Sequence, residues 1–362
     1  MCIFDYLAIL LLLLYCIEAT GTKRNRKYGN GLYFLACFLM MFVVLFVDYT
    51  KAYDMSDYLM TYHNMSSSMY GTPDNPNPEN EPGFGWLCKV LWIIPESDFT
   101  LIFTCKMLTF VPIFYGIYKF SSFKIGSLLL LMTMPGVWLV EIITQRQALS
   151  IALIMIAFYI FIYRERYKYW VLWALLLGGL SIFFHSTPLL VIPISLLLYY
   201  VPLNKKFLFV ILIAALAFSK MFYDIFSQYF LLAFASSEDF ERMTRYVEDQ
   251  DSLGIGKVNM LYNVFYTLFG IFVVYYNNYK DKVHEICFKA MILGWSIYLL
   301  IGPLPNSDRA TCYFFCLGSI GALPQKGWRS AFLLFFFLSA FTLQKHIGYI
   351  RQDFWPYTFI WE

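Results

Sequence analysis

Charged residues are scarce in this chain, since Asp, Glu, Lys and Arg together make up only 14% of its 362 residues. Hydrophobic residues make up 60%, which is more apolar surface than one water-soluble core of this size can bury. The composition therefore excludes an ordinary soluble protein and predicts a chain whose main solvent is lipid.

Sequence features of metal, disulfide and nucleotide sites are also absent. The eight cysteines include no Cys-x-x-Cys pair and no zinc-like spacing, and the four histidines are far apart in sequence. Gly254-x-Gly256 follows no predicted strand, so it does not indicate a phosphate-binding loop. The first apolar run lacks the basic start and the Ala-x-Ala-like site of a signal peptide, and we expect it to be retained as a helix. We expect no metal, no cofactor and no nucleic-acid partner.

Twelve apolar runs are long enough to cross, or nearly cross, roughly 30 Å of hydrocarbon as helices. They lie near 2–20, 31–47, 99–118, 125–140, 147–163, 169–184, 187–203, 206–222, 258–277, 286–303, 310–323 and 329–344. The predicted fold is an all-α polytopic membrane protein in which residues 1–362 form a single integral membrane domain. An even number of spans places both termini on the same side.

Basic residues mark alternate connecting loops. Six short loops hold fifteen Lys and Arg residues and only three acidic ones. These loops are 21–30, 119–124, 164–168, 204–206, 278–285 and 324–329. The intervening loops and tails hold about ten basic and about twenty acidic residues. Because cytoplasmic loops are enriched in Lys and Arg, the six basic loops are predicted to be cytoplasmic and the acidic loops external.

Two of the predicted external loops are long, at 48–98 and 223–257. The first contains Asp57 and Glu81, and its last part resembles a short amphipathic helix on the membrane surface. The residues that share the apolar face of this helix are Trp86, Leu87, Val90 and Leu91.

A short outer turn joins the predicted helices 169–184 and 187–203. Each helix has too few residues to cross the full hydrocarbon thickness, so the turn is predicted to lie below the outer surface. Ser186 or Thr187 can cap the second helix and Pro188 suits its first position, which leaves the imidazole of His185 free.

Two other outer turns contain ionisable residues. Glu141 and Arg146 end a similar hairpin of short helices, and Asp308 and Arg309 come directly before a span of about fourteen residues. Each residue also has a structural interpretation, since Arg can reach lipid headgroups, Asp can cap a helix and His185 can bond a carbonyl.

The occurrence of these residues on one predicted face favours a functional site. Ionisable groups at membrane depth are costly and tend to line cavities or to pair, so we predict one water-filled, outward-facing cavity. The residues predicted to line it are Lys106, Glu141, Arg146, His185, Tyr246, Asp308, Arg309 and Tyr313.

Five short segments, taken in order, resemble one protein family. They are Asp54-x-x-Asp57-Tyr58, Glu81-Pro82-Gly83-Phe84, Arg146-Gln147-Ala148-Leu149-Ser150-Ile151-Ala152, His185-Ser186-Thr187-Pro188-Leu189-Leu190, and Asp308-Arg309 followed by Tyr313. They resemble the EpsG-like branch of the Wzy-type polymerases of O-antigen, capsule and exopolysaccharide. The resemblance implies a glycosyltransferase-like outward cavity in the bacterial cytoplasmic (inner) membrane. It also implies growth of a surface polysaccharide by transfer of the chain onto a new repeat unit.

The partners that this resemblance implies are a polyprenyl-diphosphate-linked oligosaccharide donor and acceptor, membrane lipid and a chain-length regulator protein. A diphosphate leaving group suits arginine, because the guanidinium binds phosphate in a bidentate manner and stays charged. Arg146 and Arg309 are the first candidates for this role, followed by Arg245. The acceptor hydroxyl needs a general base, for which His185 is the first candidate and Asp57 and Glu81 are the alternatives.

Other classes of protein remain as alternatives. A polysaccharide ligase, or a related polyprenyl-linked glycosyltransferase, would use the same groups. A lipid-linked oligosaccharide flippase or other transporter would have charges through the depth of a central cavity and repeated halves. An intramembrane protease would need a Ser or Asp pair deep in the spans, and Gly294-Trp295-Ser296 does not match a nucleophile motif.

Overall fold

The computed structural model describes residues 3–20, 26–46, 53–67, 82–91, 97–135, 137–138, 144–202, 204–234, 255–276, 281–301, 307–323 and 327–351. Within these residues the chain forms fourteen α-helices and no strand. They are α1 (Ile3–Thr20), α2 (Arg26–Phe46), α3 (Tyr53–Ser67), α4 (Pro82–Leu91), α5 (Asp98–Phe120), α6 (Lys124–Thr133), α7 (Gln145–Ile162), α8 (Trp170–Phe184), α9 (Pro188–Tyr200), α10 (Lys205–Phe234), α11 (Ile255–Tyr276), α12 (Lys282–Ile301), α13 (Ser307–Gly321) and α14 (Trp328–Arg351).

Each of the twelve predicted apolar runs contains a helix, which confirms the all-helical class. In the described part of the chain, α1, α2, α5, α7 and α12 are long and apolar enough to cross a membrane. Shorter apolar helices include α6, α8 and α9. The chain is therefore a helical membrane protein, and a total of twelve spans stays a prediction.

Several predicted boundaries differ from the structure. The helix predicted near 125–140 ends at Thr133, because Met134 precedes Pro135 and adopts an extended backbone. Helix α10 continues to Phe234, so the first third of the predicted loop 223–257 is helical. Lys220 and Asp224 interrupt the apolar pattern there and hid the continuation. A third difference concerns Asp308 and Arg309, which were predicted to come before a span. Helix α13 already begins at Ser307 and includes both residues in its first turn.

The predicted loop 48–98 contains two helices, of which only α4 was expected. Helix α3 is too polar to resemble a span, yet Met55, Tyr58 and Tyr62 recur at spacings of three and four residues and are all buried. The apolar face predicted for α4 is confirmed in part, since Trp86 and Val90 are exposed together, whereas Leu91 is buried against the protein.

The chain divides into two compact units. The first contains residues 1–194 and 326–362, and the second contains residues 195–325. In the first unit, α1 packs against α2, α6 and α14, while α5 packs against α2 and α7, and α7 packs against α8. The hydroxyl of Tyr15 in α1 donates a buried hydrogen bond to the carbonyl of Ala331 in α14 at 3.0 Å. Residues from both ends of the sequence therefore form one core.

Three helix ends that precede predicted cytoplasmic loops lie together at one end of the first unit. The Glu18 carboxylate of α1 accepts hydrogen bonds from the backbone N–H groups of Lys124, Ile125 and Gly126, at 2.8, 3.0 and 3.3 Å. It satisfies donors that the start of α6 leaves without intrahelical partners, and its charge suits the helix dipole. The ring of Tyr163 stacks on that of Phe120, which brings the end of α7 to the end of α5. The ends of α1, α5 and α7 that precede these loops thus lie together, as the charge pattern predicts.

In the second unit, α12 packs against α10, α11 and α13. A Cβ atom on Gly318 would lie 2.8 Å from the side chain of Met291, so glycine allows the close approach of α13 to α12. Trp295 is fully buried and stacks on Tyr266 of α11, with ring centroids 4.5 Å apart.

The N-terminus of α12 is capped by Asp281. Its carboxylate accepts the backbone N–H of His284 at 3.0 Å and contacts the imidazole of the same residue at 2.8 Å. Partial burial opposes ionisation, but these two hydrogen bonds outweigh it and hold the pKa of Asp281 below its usual value.

Candidate active site

Helices α7 and α8 run antiparallel and are joined by a buried hydrogen bond. The hydroxyl of Ser150 donates to the carbonyl of Ser181 at 2.9 Å. Arg146 lies four residues before Ser150, and His185 lies four residues after Ser181. Because four residues of helix rise about 6 Å, this bond brings Arg146 and His185 to the same level, one turn beyond it. Both residues belong to the first unit.

Arg146 is held against an aromatic ring of the first predicted external loop. The carbon atom of its guanidinium group lies 5.7 Å from the centroid of the Tyr58 ring, which is a cation–π geometry. Tyr58 is only 8% exposed, and its ring meets that of Phe84 edge to face with centroids 5.0 Å apart. Helices α3 and α4 thus reach the start of α7, where the Arg146 residue as a whole is half-buried.

His185 lies at the break between α8 and α9 and is 8% exposed. Its backbone N–H donates to the carbonyl of Ser181 at 3.0 Å, and its Nδ1 atom accepts the backbone N–H of Thr187 at 3.2 Å. Helix α9 begins at Pro188, as predicted. The expectation of a free imidazole is corrected, because one ring nitrogen takes part in the turn that starts α9.

Helix α4 leans directly on the backbone beside His185. A Cβ atom on Gly83 would lie 2.8 Å from the carbonyl oxygen of Phe183, which is closer than any side chain can approach. Only glycine therefore fits between α4 and the last turn of α8. We call Tyr58, Gly83, Phe84, Arg146 and His185 the tip cluster.

The tip cluster lies at the opposite end of the first unit from the Glu18 cap. It joins α3 and α4 to the start of α7 and to the turn after α8, and the charge pattern predicts all of these to be on the external side. Buried polar side chains also occur on α5 and α7, namely Lys106, Gln145 and Gln147, each at most 1% exposed. A buried lysine within a span is costly, which indicates a specific polar environment around Lys106.

The first unit also contains a histidine–carboxylate pair, which the sequence did not indicate. The Nε2 atom of His63 in α3 lies 2.7 Å from the Oδ1 atom of Asp98 at the start of α5. Both side chains are about half exposed, at 48% and 53%. They are 35 positions apart in sequence, so no local spacing could have revealed the pair.

The structure places the other predicted site residues as follows. Asp57 is exposed on α3, directly before Tyr58. In the second unit, Arg309 is partly buried in the first turn of α13, and Tyr313 is 3% exposed one turn later on the same face. Glu81, Glu141, Arg245 and Tyr246, and the side chain of Asp308, lie outside the described residues.

The tip cluster thus brings together two of the predicted functional residues, Arg146 and His185, with Asp57 on the neighbouring helix. A fixed guanidinium and an oriented imidazole can bind a phosphate group by charge and by hydrogen bonding. In the described part of the chain, no three His, Cys, Asp or Glu side chains are grouped so as to hold a metal ion.

Comparison with known proteins identifies one similarity. A family model described as the EpsG family matches residues 31–359. No curated protein and no solved structure matches the chain. The matched region contains every residue of the tip cluster.

Proposed function

Because the chain belongs to the EpsG family, we propose that it is a surface polysaccharide polymerase. In this proposal it transfers a glycan chain from a polyprenyl diphosphate onto a sugar hydroxyl of another lipid-linked repeat unit. The family match over 31–359 carries the proposal, since membership suggests a polysaccharide polymerase-type function. The reaction takes place at the external face of the bacterial cytoplasmic membrane, where a chain-length regulator protein is a further proposed partner.

The tip cluster supports this chemistry. In the reaction, the acceptor hydroxyl oxygen bonds to the anomeric carbon while the bond from that carbon to the phosphate oxygen breaks. Negative charge then develops on the diphosphate, and a guanidinium stabilises it without a change in its own protonation. We assign this role to Arg146, with Arg309 and Arg245 as further candidates. The cation–π contact with Tyr58 holds Arg146 in position.

The other residues selected from the sequence have proposed roles as well. The hydroxyl proton must pass to a base, and the candidates are His185, Asp57 and Glu81. Glu141, Asp308, Tyr313 and Tyr246 are proposed to line the cavity that admits the sugars. No metal or cofactor is needed for these steps, because arginine supplies the positive charge that the leaving group requires.

Deletion of the gene in the cell that encodes it separates this proposal from its rivals. Loss of a polymerase leaves surface glycans that carry a single repeat unit. Loss of a ligase leaves long chains on polyprenyl diphosphate and none on the final acceptor. Loss of a flippase traps single lipid-linked units on the cytoplasmic side. Either of the last two patterns, restored by the wild-type gene, would contradict the proposal.

A further inference from the structure

We propose that His185 acts in the transfer as a hydrogen-bond donor to the diphosphate through Nε2–H, and that a carboxylate of the first external loop accepts the hydroxyl proton. This inference rests on the proposed function and specifies its site. It is carried by the hydrogen bond between the Thr187 N–H and His185 Nδ1.

That hydrogen bond selects one form of the imidazole. A neutral imidazole has one nitrogen that accepts and one that carries a proton, whereas both nitrogens of the protonated ring are donors. Because Nδ1 of His185 accepts the backbone N–H of Thr187, the proton of the neutral ring lies on Nε2. The second ring nitrogen is thus a donor in the folded turn.

A general base at Nε2 would require the other tautomer. The Nδ1 atom would then carry a proton that faces the N–H of Thr187, and both groups would lose their hydrogen bond. The N–H of Thr187 would lose its acceptor in a part-buried turn and would face a second donor, which is an unfavourable arrangement. The turn that starts α9 therefore opposes the base role of His185.

The position of the ring suits donation to a phosphate. His185 and Arg146 lie at the same level, one turn beyond the bond between Ser150 and Ser181. A guanidinium and an imidazole N–H at one level provide a charged and a neutral donor for oxygen atoms of the same diphosphate. Donors that are fixed before the reaction stabilise the charge that develops on the leaving group.

The step balances with these groups. The acceptor oxygen forms its bond to the anomeric carbon, and the diphosphate departs with the electron pair of the broken carbon–oxygen bond. The hydroxyl proton passes to the carboxylate of Asp57 or Glu81, while the Nε2 proton of His185 stays on the ring. Asp57 is exposed on α3, one residue before the Tyr58 ring that contacts Arg146.

Three substitutions of His185 separate the possible roles in an elongation assay on purified protein. His185→Gln places an amide N–H near the position of Nε2 but provides no acceptor for Thr187. His185→Asn provides that acceptor but no donor at the Nε2 position. His185→Ala provides neither. The Gln and Ala variants lose the same turn contact, so the difference between them reports the Nε2 donor alone.

We expect kcat to fall about a hundredfold to a thousandfold in His185→Ala, as for the loss of one fixed donor to developing charge. The kcat of His185→Gln should stay within about tenfold of the wild-type value, because this variant retains a hydrogen-bond donor. Asp57→Asn or Glu81→Gln should lower kcat about a hundredfold or more at normal Tm, as for the loss of a general base.

Several results would overturn the inference. Equal loss in the Gln and Ala variants would restore the base role of His185. Recovery of both Tm and kcat in His185→Asn alone would reduce the residue to a cap for α9. Full activity in both carboxylate variants would also contradict it. If wild-type protein makes no polymer, the proposed function itself fails, which is a distinct outcome.

Discussion

At the scale of single residues, Arg146 shows how a flexible cation is fixed at the edge of a membrane. An exposed arginine samples many rotamers, and holding one of them costs free energy on binding. The Tyr58 ring and the partial burial of Arg146 remove much of that cost in advance. Tyr58 in turn is fixed by its edge-to-face contact with Phe84.

The ring of Tyr58 can be tested by two substitutions. Tyr58→Phe keeps the aromatic face and should leave KM near the wild-type value. Tyr58→Leu removes the cation–π contact, which is worth about 0.5–2 kcal/mol, and should raise KM about twofold to thirtyfold. Steady-state elongation by both purified variants measures this. Equal KM values for the Leu and Phe variants would show that the ring does not position Arg146.

The individual functional residues were only partly predictable from the sequence. Arg146 and His185 could be selected because ionisable groups beside apolar runs are rare and costly. The contact from Tyr58 to Arg146 and the pair His63–Asp98 join separate helices, so sequence spacing contains no signal for them. The acceptor role of His185 Nδ1 depends on the detailed shape of a turn, which composition does not determine.

At the scale of helices, the apolar runs were predicted well and their ends less well. Apolar length determines whether a helix forms in lipid, whereas its end depends on single residues such as Pro135. Helix α3 escaped prediction because its apolar stripe is buried against protein rather than lipid. Close contacts between helices then depend on small residues at particular positions.

Gly83 is the contact that fixes α4 against the end of α8. Gly83→Ala places a Cβ atom 2.8 Å from the Phe183 carbonyl oxygen, so α4 or the turn before His185 must shift. We expect elongation activity to fall at least tenfold, because displacements of about 1 Å at a reacting centre are costly.

Gly179→Ala in α8 is the matched control, since no atom lies within 4 Å of its added Cβ. It should keep full activity and gain up to about 1 kcal/mol from helix propensity. Wild-type activity and Tm in Gly83→Ala would show that α4 does not position the tip cluster.

A buried lysine joins α9 to α12 within the second unit. The Nζ atom of Lys289 is fully buried, forms an ion pair with Glu285, and donates to the carbonyls of Leu198 and Val201 at 3.2 and 2.7 Å. These carbonyls lie at the end of α9, where a helix leaves acceptors without partners and the dipole favours a cation.

Lys289→Met should lower the free energy of unfolding by roughly 3 kcal/mol. This value is at the lower end of the range for breaking a buried ion pair, because Glu285 keeps some contact with water. Lys282→Met is the control, since the partly exposed Lys282 pairs with the same Glu285 at 3.1 Å and should cost less than about 1 kcal/mol. Thermal unfolding in detergent measures both. Equal losses in the two variants would contradict a special role for the buried lysine.

At the scale of the whole molecule, the structure groups the loops as the charge pattern predicts. The helix ends that precede the basic loops after α1, α5 and α7 meet at one end of the first unit, and the tip cluster lies at the other. The charge pattern could predict this alternation because Lys and Arg are retained on the cytoplasmic side. It could not predict the division into two compact units, which depends on tertiary packing.

Cysteine labelling tests the orientation. Ser56→Cys and Gln250→Cys should react with an impermeant thiol reagent in intact spheroplasts, and Arg166→Cys should react only after lysis. Native cysteines in the described residues give little background, because all except Cys16 are buried, and burial also raises the pKa of the Cys88 thiol. Labelling of Arg166→Cys alone in intact cells would invert the topology and place the tip cluster in the cytoplasm.

The central claim is polymerisation, and a direct measurement is elongation by purified protein. The protein in lipid nanodiscs is mixed with the polyprenyl-diphosphate-linked repeat unit alone, and the products are separated by size. We predict a ladder of longer lipid-linked glycans, which is lost in Arg146→Ala and partly restored in Arg146→Lys, because a point charge lacks the bidentate geometry of guanidinium. A wild-type protein that leaves only single repeat units, or an undiminished ladder from Arg146→Ala at normal Tm, would contradict the account.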